Sequence, residues 1–362
     1  MMGIIGAGPA GCFLGSKLAW DKSIIFDKKL AIGNPIQCTG IVTESVYRVL
    51  DTIPDDIIIN YIDKFRIRSP DGKSIDVKLN KRNIIMDRAG FDKYIAKLAE
   101  DAGAQIRLNH ELMGWKKRED KLRLFFNNNK TEDVDYMVGA DGPFSPVAKK
   151  AGIYGNREIL GGFQARVKIK NKSQEFEKNV TDILFGLGEF AWVVPETKNT
   201  ARIGIIGNDT PTQNIKKEYN KLIKPYTILE NQSGAIPMYN PKQIMQQNNI
   251  ALIGDAATQV KATTYGGIIY GLISAMYIGE RWDDYEKRFR AKLGKDLWVS
   301  LKMRNVLNKF SEKECNDLLR IFEKEENKSF LEEKDRNFPS KFVLQLLMKE
   351  TKLWKYGFKL FS

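Results

Sequence analysis

Short apolar segments and longer amphipathic segments alternate at the start of the chain. Residues 2–5 and 23–27 are apolar runs that predict strands, and residues 9–19 between them have the spacing of a helix. A strand, a helix and a second strand in this order predict two parallel strands joined by a right-handed crossover. The pattern therefore favours an α/β sheet that begins at the N-terminus.

The next hundred residues mix both periodicities. Residues 64–69 and 74–79 alternate apolar and polar positions on either side of a Pro-Asp-Gly turn, which predicts a β-hairpin. Residues 88–102 carry apolar side chains at helical spacing. Further strands are predicted at residues 111–118, 121–127 and 135–140.

The middle of the chain predicts an antiparallel sheet. Its strands are expected at residues 162–169, 182–185, 190–195 and 201–206, followed by a helix at 211–224. A buried strand at 249–253 and an apolar helix at 266–279 return to the α/β pattern, and the chain from 281 onward is helical and charged. The domains should therefore interleave along the chain.

Composition narrows the possible partners and compartments. The 362 residues suggest two or three domains, and 58 Lys and Arg against 45 Asp and Glu give a net charge of +13, which favours anionic partners. Three cysteines are too few for a disulfide framework or a zinc site, so we expect a reducing compartment and no metal. The single histidine, His110, lies at a predicted strand entry with no serine or cysteine nucleophile motif nearby, which argues against a histidine-based catalytic triad.

No targeting or membrane-spanning segment is expected. The first apolar run leads directly into a glycine loop, without the pattern of a signal peptide. The longest apolar stretch, residues 266–279, has 14 residues, whereas about 20 are needed to cross a bilayer. These features predict a cytoplasmic protein without a transmembrane helix.

A glycine fingerprint follows the first strand. It has the form G-x-G-x-x-G and consists of Gly6, Ala7, Gly8, Pro9, Ala10 and Gly11. In this pattern the glycines allow a tight turn, the approach of a diphosphate, and close packing of the helix on the sheet. The second strand ends at Asp27, followed by Lys28, where a carboxylate can accept a hydrogen bond from ribose. The segment predicts a dinucleotide site.

Two later motifs suggest which dinucleotide binds. An apolar strand ends in Gly254 and Asp255, and a helix headed by Gly266, Gly267 and Ile268 follows. An aspartate at a strand end can hold the polyol of a flavin, and a helix N-terminus can stabilise the negative charge of the reduced ring. A third strand ends at Asp141 before a glycine. Together these motifs favour FAD over NAD.

The motifs give the chain a specific family resemblance. The segment Asn34-Pro35-Ile36-Gln37-Cys38-Thr39-Gly40, the helix start Arg88-Ala89-Gly90-Phe91-Asp92 and the strand Phe190-Ala191-Trp192-Val193-Val194-Pro195 resemble motifs of the geranylgeranyl reductase family, close to its digeranylgeranylglycerophospholipid reductases. In that family's pattern a tyrosine stands at position 190 and a phenylalanine at position 194. The phenylalanine and valine found here remove a hydroxyl group and suit a wider pocket.

The resemblance implies a fold and a division into domains. It implies a Rossmann-type FAD-binding domain, an antiparallel β-sheet substrate domain and a helical C-terminal region. We assign residues 1–62, 80–155 and 244–282 to the FAD-binding domain. Residues 63–79 and 156–243 form the predicted substrate domain, and residues 283–362 form the helical region.

The resemblance also implies an activity and its site. Reduced FAD would give a hydride from N5 to a double bond of a geranylgeranyl chain, in the isoprenoid part of membrane phospholipid metabolism. Cys38, Phe190, Trp192 and Pro195 are the implied catalytic residues, and Cys38, Thr39, Gly40, Arg88 and Leu112 join the FAD site. Competing interpretations are a purely structural role for Trp192 in the sheet core, for Cys38 as a small buried group, and for Arg88 at a surface helix start.

Other functions and partners stay open at this stage. A flavin monooxygenase of the aromatic hydroxylase type, or an electron-transfer flavoprotein that reduces a membrane quinone, are the alternatives. No second dinucleotide fingerprint is present, so a ferredoxin-like protein and a transiently bound nicotinamide are both candidate reductants. The tail at residues 349–362 interleaves lysines with aromatic residues, which suits either peripheral binding at the inner face of the membrane or docking on the protein itself; nucleic acid is not an expected partner.

Overall fold

The computed structural model describes residues 1–127, 129–171, 173–210, 214–335 and 337–360. In these residues the strands are β1 Met2–Ile5, β2 Ser23–Phe26, β3 Ile41–Thr43, β4 Ile58–Arg68, β5 Ser74–Met86, β6 Gln105–Arg107, β7 Leu112–Arg118, β8 Lys121–Phe126, β9 Thr131–Val134, β10 Tyr136–Gly139, β11 Ile159–Ile169, β12 Val180–Leu184, β13 Phe190–Pro195, β14 Thr200–Gly207, β15 Tyr226–Pro237, β16 Gln246–Gln247 and β17 Ile250–Leu252. The α-helices are α1 Pro9–Lys17, α2 Arg88–Asp101, α3 Pro146–Lys150, α4 Ile215–Ile223, α5 Ile268–Glu280, α6 Tyr285–Phe289, α7 Lys295–Leu307, α8 Glu312–Phe322, α9 Glu325–Glu332 and α10 Val343–Lys349.

The first sheet has six strands in the order β16-β17-β10-β1-β2-β6. All neighbouring pairs are parallel except β16 with β17 at one edge. Every residue of β1 and β2 is buried, because helices cover the sheet and α1 packs against both α2 and α5. This sheet confirms the predicted parallel β-α-β start and places the ends of β1, β10 and β17 side by side.

The second sheet has eight strands in the order β15-β11-β14-β13-β12-β4-β5-β3. It is antiparallel except for the parallel pair of β12 with β4. Helix α4 covers one face and buries Ile215, Tyr219 and Ile223 against it. The predicted helix at 211–224 is present from Ile215, and residues 211–213 lie outside the described part of the chain.

Several strand expectations need correction. The predicted hairpin at 64–79 is the far end of the much longer strands β4 and β5, so the expected domain limits at 62–63 and 79–80 fall inside continuous strands. The expected helical C-terminal region is observed, but the long strand β15 was not predicted. Most of β15 is exposed or half-buried, and its central residues Glu230, Asn231 and Gln232 hide the alternation that marks a strand.

A third, three-stranded sheet, β7-β8-β9, lies beside the first sheet. Strand β9 was also missed. His110 lies before β7, where its ring packs near Phe26 and Phe126 with ring-centroid distances of 6.0 and 5.5 Å. The His110 Nδ1 atom lies 2.7 Å from the carbonyl oxygen of Leu108. The histidine is therefore part of the packing behind the sheet.

Helices α6 to α10 and a 3₁₀ helix at Thr351–Leu360 form the C-terminal region. Leu353 and Tyr356 are buried against Ile321 and Leu346, and the Tyr356 ring lies 4.5 Å from that of Phe310. The tail thus docks on its own protein, while Phe361 and the side chains at 358 and 360 lie outside the described residues. Among the residues described, no helix combines the length and apolar character that a membrane crossing requires.

Candidate functional site

The glycine fingerprint forms a tight joint between β1 and α1. Gly6 has a φ of +112°, and a Cβ atom there would lie 2.2 Å from the carbonyl oxygen of Ala140. At Gly11 a Cβ would lie 2.0 Å from the carbonyl oxygen of Gly6. Neither position can hold another residue without moving the backbone, so both glycines are required by the turn itself.

Gly8 differs from its two neighbouring glycines because nothing lies within 4 Å of the place a Cβ would take. It is also the N-cap of α1, with no side-chain hydrogen bond to the first turn and Pro9 directly after it. A helix N-terminus with free space and no side-chain cap is a suitable anion site, since its N–H groups and dipole both favour negative charge. The loop fits a diphosphate.

Ala10 connects this loop to the distant glycine motif. Its Cβ lies 3.4 Å from the position of a Cβ on Gly254 and 3.2 Å from that of a Cβ on Gly271 in α5. The turn after β17 and the start of α5 therefore pack directly on the first helix. The structure brings together two motifs that are about 250 residues apart in the sequence.

Asp27 is buried at the end of β2 and shapes the loop around it. Its carboxylate accepts the N–H of Ala7 at 2.7 Å and that of Lys29 at 2.8 Å. Lys28 is exposed beside it, and the N–H of His110 donates to the Asp27 carbonyl, which brings the chain before Leu112 to this end of the sheet. The predicted ribose and adenine contacts thus share one end of the sheet, and the Asp27 carboxylate also organises the first glycine loop.

Asp141 has a structural task at the third strand end. Its carboxylate accepts the Ser145 hydroxyl at 2.6 Å and the Val147 N–H at 2.9 Å, so it orders the turn into α3. Burial raises the pKa of Asp141 despite these hydrogen bonds. The structure places the residue beside Gly6, and its predicted contact with the cofactor stays a prediction.

Asp255 lies at the centre of the converging elements. Burial raises its pKa to about 6, although the positive charges of Arg88 and Arg157 act in the opposite direction. A Cβ on Gly267 would lie 3.0 Å from an Asp255 carboxylate oxygen, so the carboxylate lies against the start of α5. Gly267 is the N-cap of α5 and has no side-chain hydrogen bond, which leaves the N–H groups around Gly267 and Ile268 for a ligand.

Arg88 is not the surface residue that one interpretation of the sequence predicts. Its side chain is 11% exposed and pairs with Asp92 at 2.8 Å, one helical turn further along α2. The guanidinium also lies against the Cys38 thiol, and its Cγ would lie 2.8 Å from a Cβ on Gly40. Arg88 therefore lies against the loop around Cys38 and near enough to Asp255 for its charge to act there, with a carboxylate partner of its own in addition to the predicted phosphate contact.

A cavity of about 190 Å³ lies between this cluster and the eight-stranded sheet. Its lining includes Cys38 and Thr39 from the loop before β3, and Gly266, Gly267 and Ile268 from the start of α5. The wall formed by the sheet is mainly apolar and includes Ile41, Val42, Phe65, Phe163, Ile183, Phe190, Trp192, Val194, Ile206 and Ile236. The cavity brings Cys38, Phe190 and Trp192, three of the four predicted catalytic residues, together with the glycines at the start of α5.

Phe190 and Trp192 share one face of β13, and their ring centroids lie 5.7 Å apart. Trp192 lines the cavity and is also part of the hydrophobic core. Its ring covers Gly204 so closely that a Cβ atom on Gly204 would lie 2.2 Å from the ring. Pro195 is the exception among the predicted catalytic residues. Side chains alternate along a strand, so Pro195 lies on the other face, outside the cavity lining, and its carbonyl accepts Asn60 Nδ2 at 3.0 Å.

Comparison with known families identifies the cofactor that this geometry accommodates. A family model described as an FAD binding domain matches residues 80–279, more than half of the chain. The chain belongs to this FAD-binding family. It is a flavin-dependent oxidoreductase with FAD as its cofactor, and the glycine joints, the space at Gly8 and the start of α5 fit that molecule.

Relatives over the full length have more specific names. A digeranylgeranylglycerophospholipid reductase of Methanocaldococcus jannaschii is 26% identical and covers 98% of this chain and 96% of its own. Digeranylgeranylglycerophospholipid reductase 3 of Methanosphaera stadtmanae is 28% identical, and the match covers 87% of this chain and 89% of that protein. A geranylgeranyl bacteriochlorophyll reductase-like protein from Thermoplasma acidophilum has the same fold, with a TM-score of 0.84, 20% identity and 98% coverage of both chains.

The cavity of this flavoprotein also contains a polar network that the sequence did not predict. Gln164 accepts the Thr39 hydroxyl at 2.6 Å and the Trp192 indole N–H at 3.3 Å, and donates to Gln232 at 2.6 Å. Arg202 donates to the Thr39 carbonyl at 2.6 Å. The one signal in the sequence is Arg202 itself, because it is a charged residue inside the apolar run of β14. In the structure Arg202 is buried and pairs with Glu196 at 2.8 Å.

A second missed group surrounds Tyr265, which lines the cavity. Tyr265 has a φ of +54°, an uncommon value for a bulky residue, and its hydroxyl donates to Glu189. Arg304 lies over the Tyr265 ring at 5.3 Å and donates to the Thr263 carbonyl at 2.6 Å. Burial raises the pKa of the Tyr265 hydroxyl, so the phenol stays protonated at neutral pH. Nothing in the linear sequence marks this group, because its members are far apart in the chain.

Proposed function

We propose that this protein is an FAD-dependent reductase that saturates carbon–carbon double bonds of geranylgeranyl chains in membrane glycerophospholipids. The observation that carries the proposal is the mainly apolar cavity between the glycines at the start of α5 and the eight-stranded sheet. A prenyl chain has no polar atoms along most of its length, and burying it in such a cavity is favourable. The names of the full-length relatives support the same substrate class.

The aromatic wall positions the substrate in this proposal. Phe190 and Trp192 form a continuous surface along β13, and the Trp192 indole is held in place by Gln164. An isolated alkene is a poor hydride acceptor, so the reacting carbon must be held about 3–3.5 Å from its hydride donor. The rigid wall supplies this placement, and its apolar side chains exclude water from the reacting atoms.

The chemistry needs a hydride and a proton for each double bond. When bound, FAD supplies the hydride after its own reduction. Cys38 is the proposed proton source for the other carbon, because its thiol lines the cavity while the Gly40 N–H donates to its sulfur at 3.4 Å. The Arg88 guanidinium lies against the same sulfur and helps to fix the position of the Cys38 side chain.

The protein needs access to a reductant and to its lipid. A ferredoxin-like protein or a transiently bound nicotinamide is the proposed electron source. The proposed peripheral membrane contact involves the C-terminal region, where Leu344, Met348 and Trp354 are exposed among lysines. Because the surface is basic overall, anionic lipid is the membrane component that it would attract.

The test is direct detection of the product. Purified, chemically reduced protein is incubated with geranylgeranyl glycerophospholipids, and the lipids are analysed by mass spectrometry. Each saturated bond adds two hydrogen atoms. Absence of any hydrogenated lipid would overturn the proposal. Substrate-dependent oxygen consumption would instead identify a monooxygenase, and flavin oxidation by a quinone without lipid product would identify an electron-transfer protein.

A further inference from the structure

A buried lysine lies in the mainly apolar cavity. Lys261 is 3% exposed, lines the cavity, and donates from its ammonium group to the Asn337 side-chain oxygen at 2.9 Å. Removing a charged ammonium group from water costs several kcal/mol or more, unless polar or charged groups compensate for it. A negatively charged ligand in the cavity would be attracted by this ammonium group, because charges interact more strongly in a water-poor surrounding.

The backbone places Lys261 next to the turn at Gly266 and Gly267, which leads into α5. The Lys261 N–H donates to the Gly266 carbonyl at 3.0 Å, and the Tyr265 N–H donates to the Lys261 carbonyl at 2.8 Å. The loop therefore closes on itself, so that Lys261 and Gly266 are paired neighbours at the start of α5. Both residues line the same cavity as Cys38 and Thr39.

The partner of Lys261 is itself fixed in place. Asn337 donates from its side-chain nitrogen to the Thr43 hydroxyl at 2.7 Å, and its carbonyl accepts the Tyr270 hydroxyl at 2.8 Å. The amide oxygen of Asn337 is thereby directed to the ammonium group. An arrangement that orders a cation in this way is preorganised for a charge that develops in the cavity.

We infer that the Lys261 ammonium group stabilises the negative charge that the FAD ring acquires on reduction. The oxidised ring is neutral, and uptake of two electrons and one proton leaves it with one negative charge. The N-terminus of α5 supplies about half a positive charge at this place, and Lys261 adds a full one in a water-poor surrounding. The lysine therefore raises the reduction potential of the bound flavin and favours its reduction by a weak donor.

Sulfite binding tests the inference without any lipid substrate. Sulfite adds covalently to the oxidised flavin ring and leaves the same negative charge on it, so its affinity reports the stabilisation of that charge. The dissociation constant for sodium sulfite is measured from the loss of flavin absorbance in the wild type and in Lys261→Met, Lys261→Gln and Lys261→Arg. Lys287→Met, at an exposed lysine on α6, is the matched control.

We expect the Met and Gln variants to bind sulfite at least tenfold more weakly, and the Arg and control variants to stay within about twofold of the wild type. A tenfold loss of stabilisation of the reduced ring corresponds to a fall of about 30 mV in the two-electron potential, which a redox titration of the same variants measures. Unchanged sulfite affinity and potential in variants that retain FAD would overturn the inference.

Loss of FAD from both the Lys261→Met and the Lys261→Gln variants would also contradict the inference. If Lys261→Arg keeps the cofactor while Met and Gln variants release it in the oxidised form, the lysine serves cofactor binding in general, and the specific effect on the reduced ring is refuted. These measurements use only FAD and sulfite. They can therefore succeed or fail independently of the proposed lipid reduction.

Discussion

At the scale of single residues, Cys38 is where the proposed chemistry is most directly tested. We expect Cys38→Ala to keep FAD, because the glycine joints and α5 are unchanged, and to lower alkene reduction at least tenfold through loss of the thiol proton. Lipid mass spectrometry measures turnover, and flavin absorbance measures cofactor content. Cys315→Ala, at a buried cysteine in α8, is the control. Unchanged turnover would remove Cys38 from the mechanism.

The glycines and the acids at strand ends were predictable from the sequence, and the polar contacts of the cavity were not. Gly6, Gly11 and Asp255 have local signals, because a strand, a turn and a helix follow each other in the sequence. Gln164 and Tyr265 meet their partners only after the sheet has formed, since those partners are distant in the chain. Their residue types alone gave no reason to choose them.

Asp255 should make the stability of the FAD-free protein depend on pH. Its pKa is about 6 in the folded protein, against 3.8 when unperturbed, so the folded state holds the proton more tightly than the unfolded chain. The resulting stabilisation is complete below pH 4 and is lost as the pH rises to about 6. At about 1.4 kcal/mol per unit, the loss is roughly 3 kcal/mol.

Comparison with Asp255→Asn isolates this effect from other titrating groups. Urea unfolding of both FAD-free proteins between pH 4 and pH 6.5 gives the free energy of unfolding at each pH. The wild type should lose stability relative to the variant as the pH rises. Curves that stay parallel over this range would show that burial of Asp255 does not raise its pKa.

At the scale of elements, the local pattern of apolar and polar residues predicted most strands and helices. It failed for a surface strand whose residues do not alternate between apolar and polar. Strands β1 and β13 match their predicted limits, because both are apolar runs bounded by turns. Strand β15 was missed since pairing with β11, rather than its own pattern, defines it. The length of β4 and β5 likewise follows from their pairing with each other, and β5 is paired with β3 as well.

The contact between β13 and β14 allows a test of the cavity wall. Gly204→Ala places a methyl group within the space of the Trp192 ring, so the ring must move, at a cost of about 1–3 kcal/mol in the free energy of unfolding. Urea denaturation measures this cost. Gly161→Ala in the same sheet, where the nearest contact would be an ordinary 3.5 Å, should be close to neutral.

A double-mutant cycle assigns the cost to the ring itself. In a Trp192→Ala background the new methyl group meets no ring, so Gly204→Ala should lose most of its effect. An equal cost in both backgrounds would show that the glycine is needed for another reason. The Trp192 ring would then be able to shift away from the new methyl group at little cost.

At the scale of the whole molecule, charge and exposed apolar side chains define the proposed membrane surface. Leu344 and Met348 lie one helical turn apart on α10 and are 66% and 61% exposed. Lys349 and Lys352 are exposed close by in the chain. The sequence suggested this use for the tail, but only the fold distinguishes its buried members, Leu353 and Tyr356, from its exposed ones.

The double variant Leu344→Asp with Met348→Asp should bind anionic lipid vesicles at least tenfold more weakly than the wild type. It loses apolar burial worth about 1.5–3 kcal/mol for each fully inserted side chain and adds two repelled charges. Vesicle co-sedimentation at low and high salt measures binding. Met113→Asp changes a similarly exposed methionine on β7 and serves as the control. Equal binding of all three proteins would exclude this surface.

The wall of the cavity is completed by Asn337, which comes from near the end of the chain and bonds to Thr43 from near its beginning. During synthesis, the glycine loops and the strand wall leave the ribosome before this residue does. A growing chain can therefore assemble its nucleotide site before the cavity is closed, so cofactor uptake can precede completion of the cavity during biogenesis.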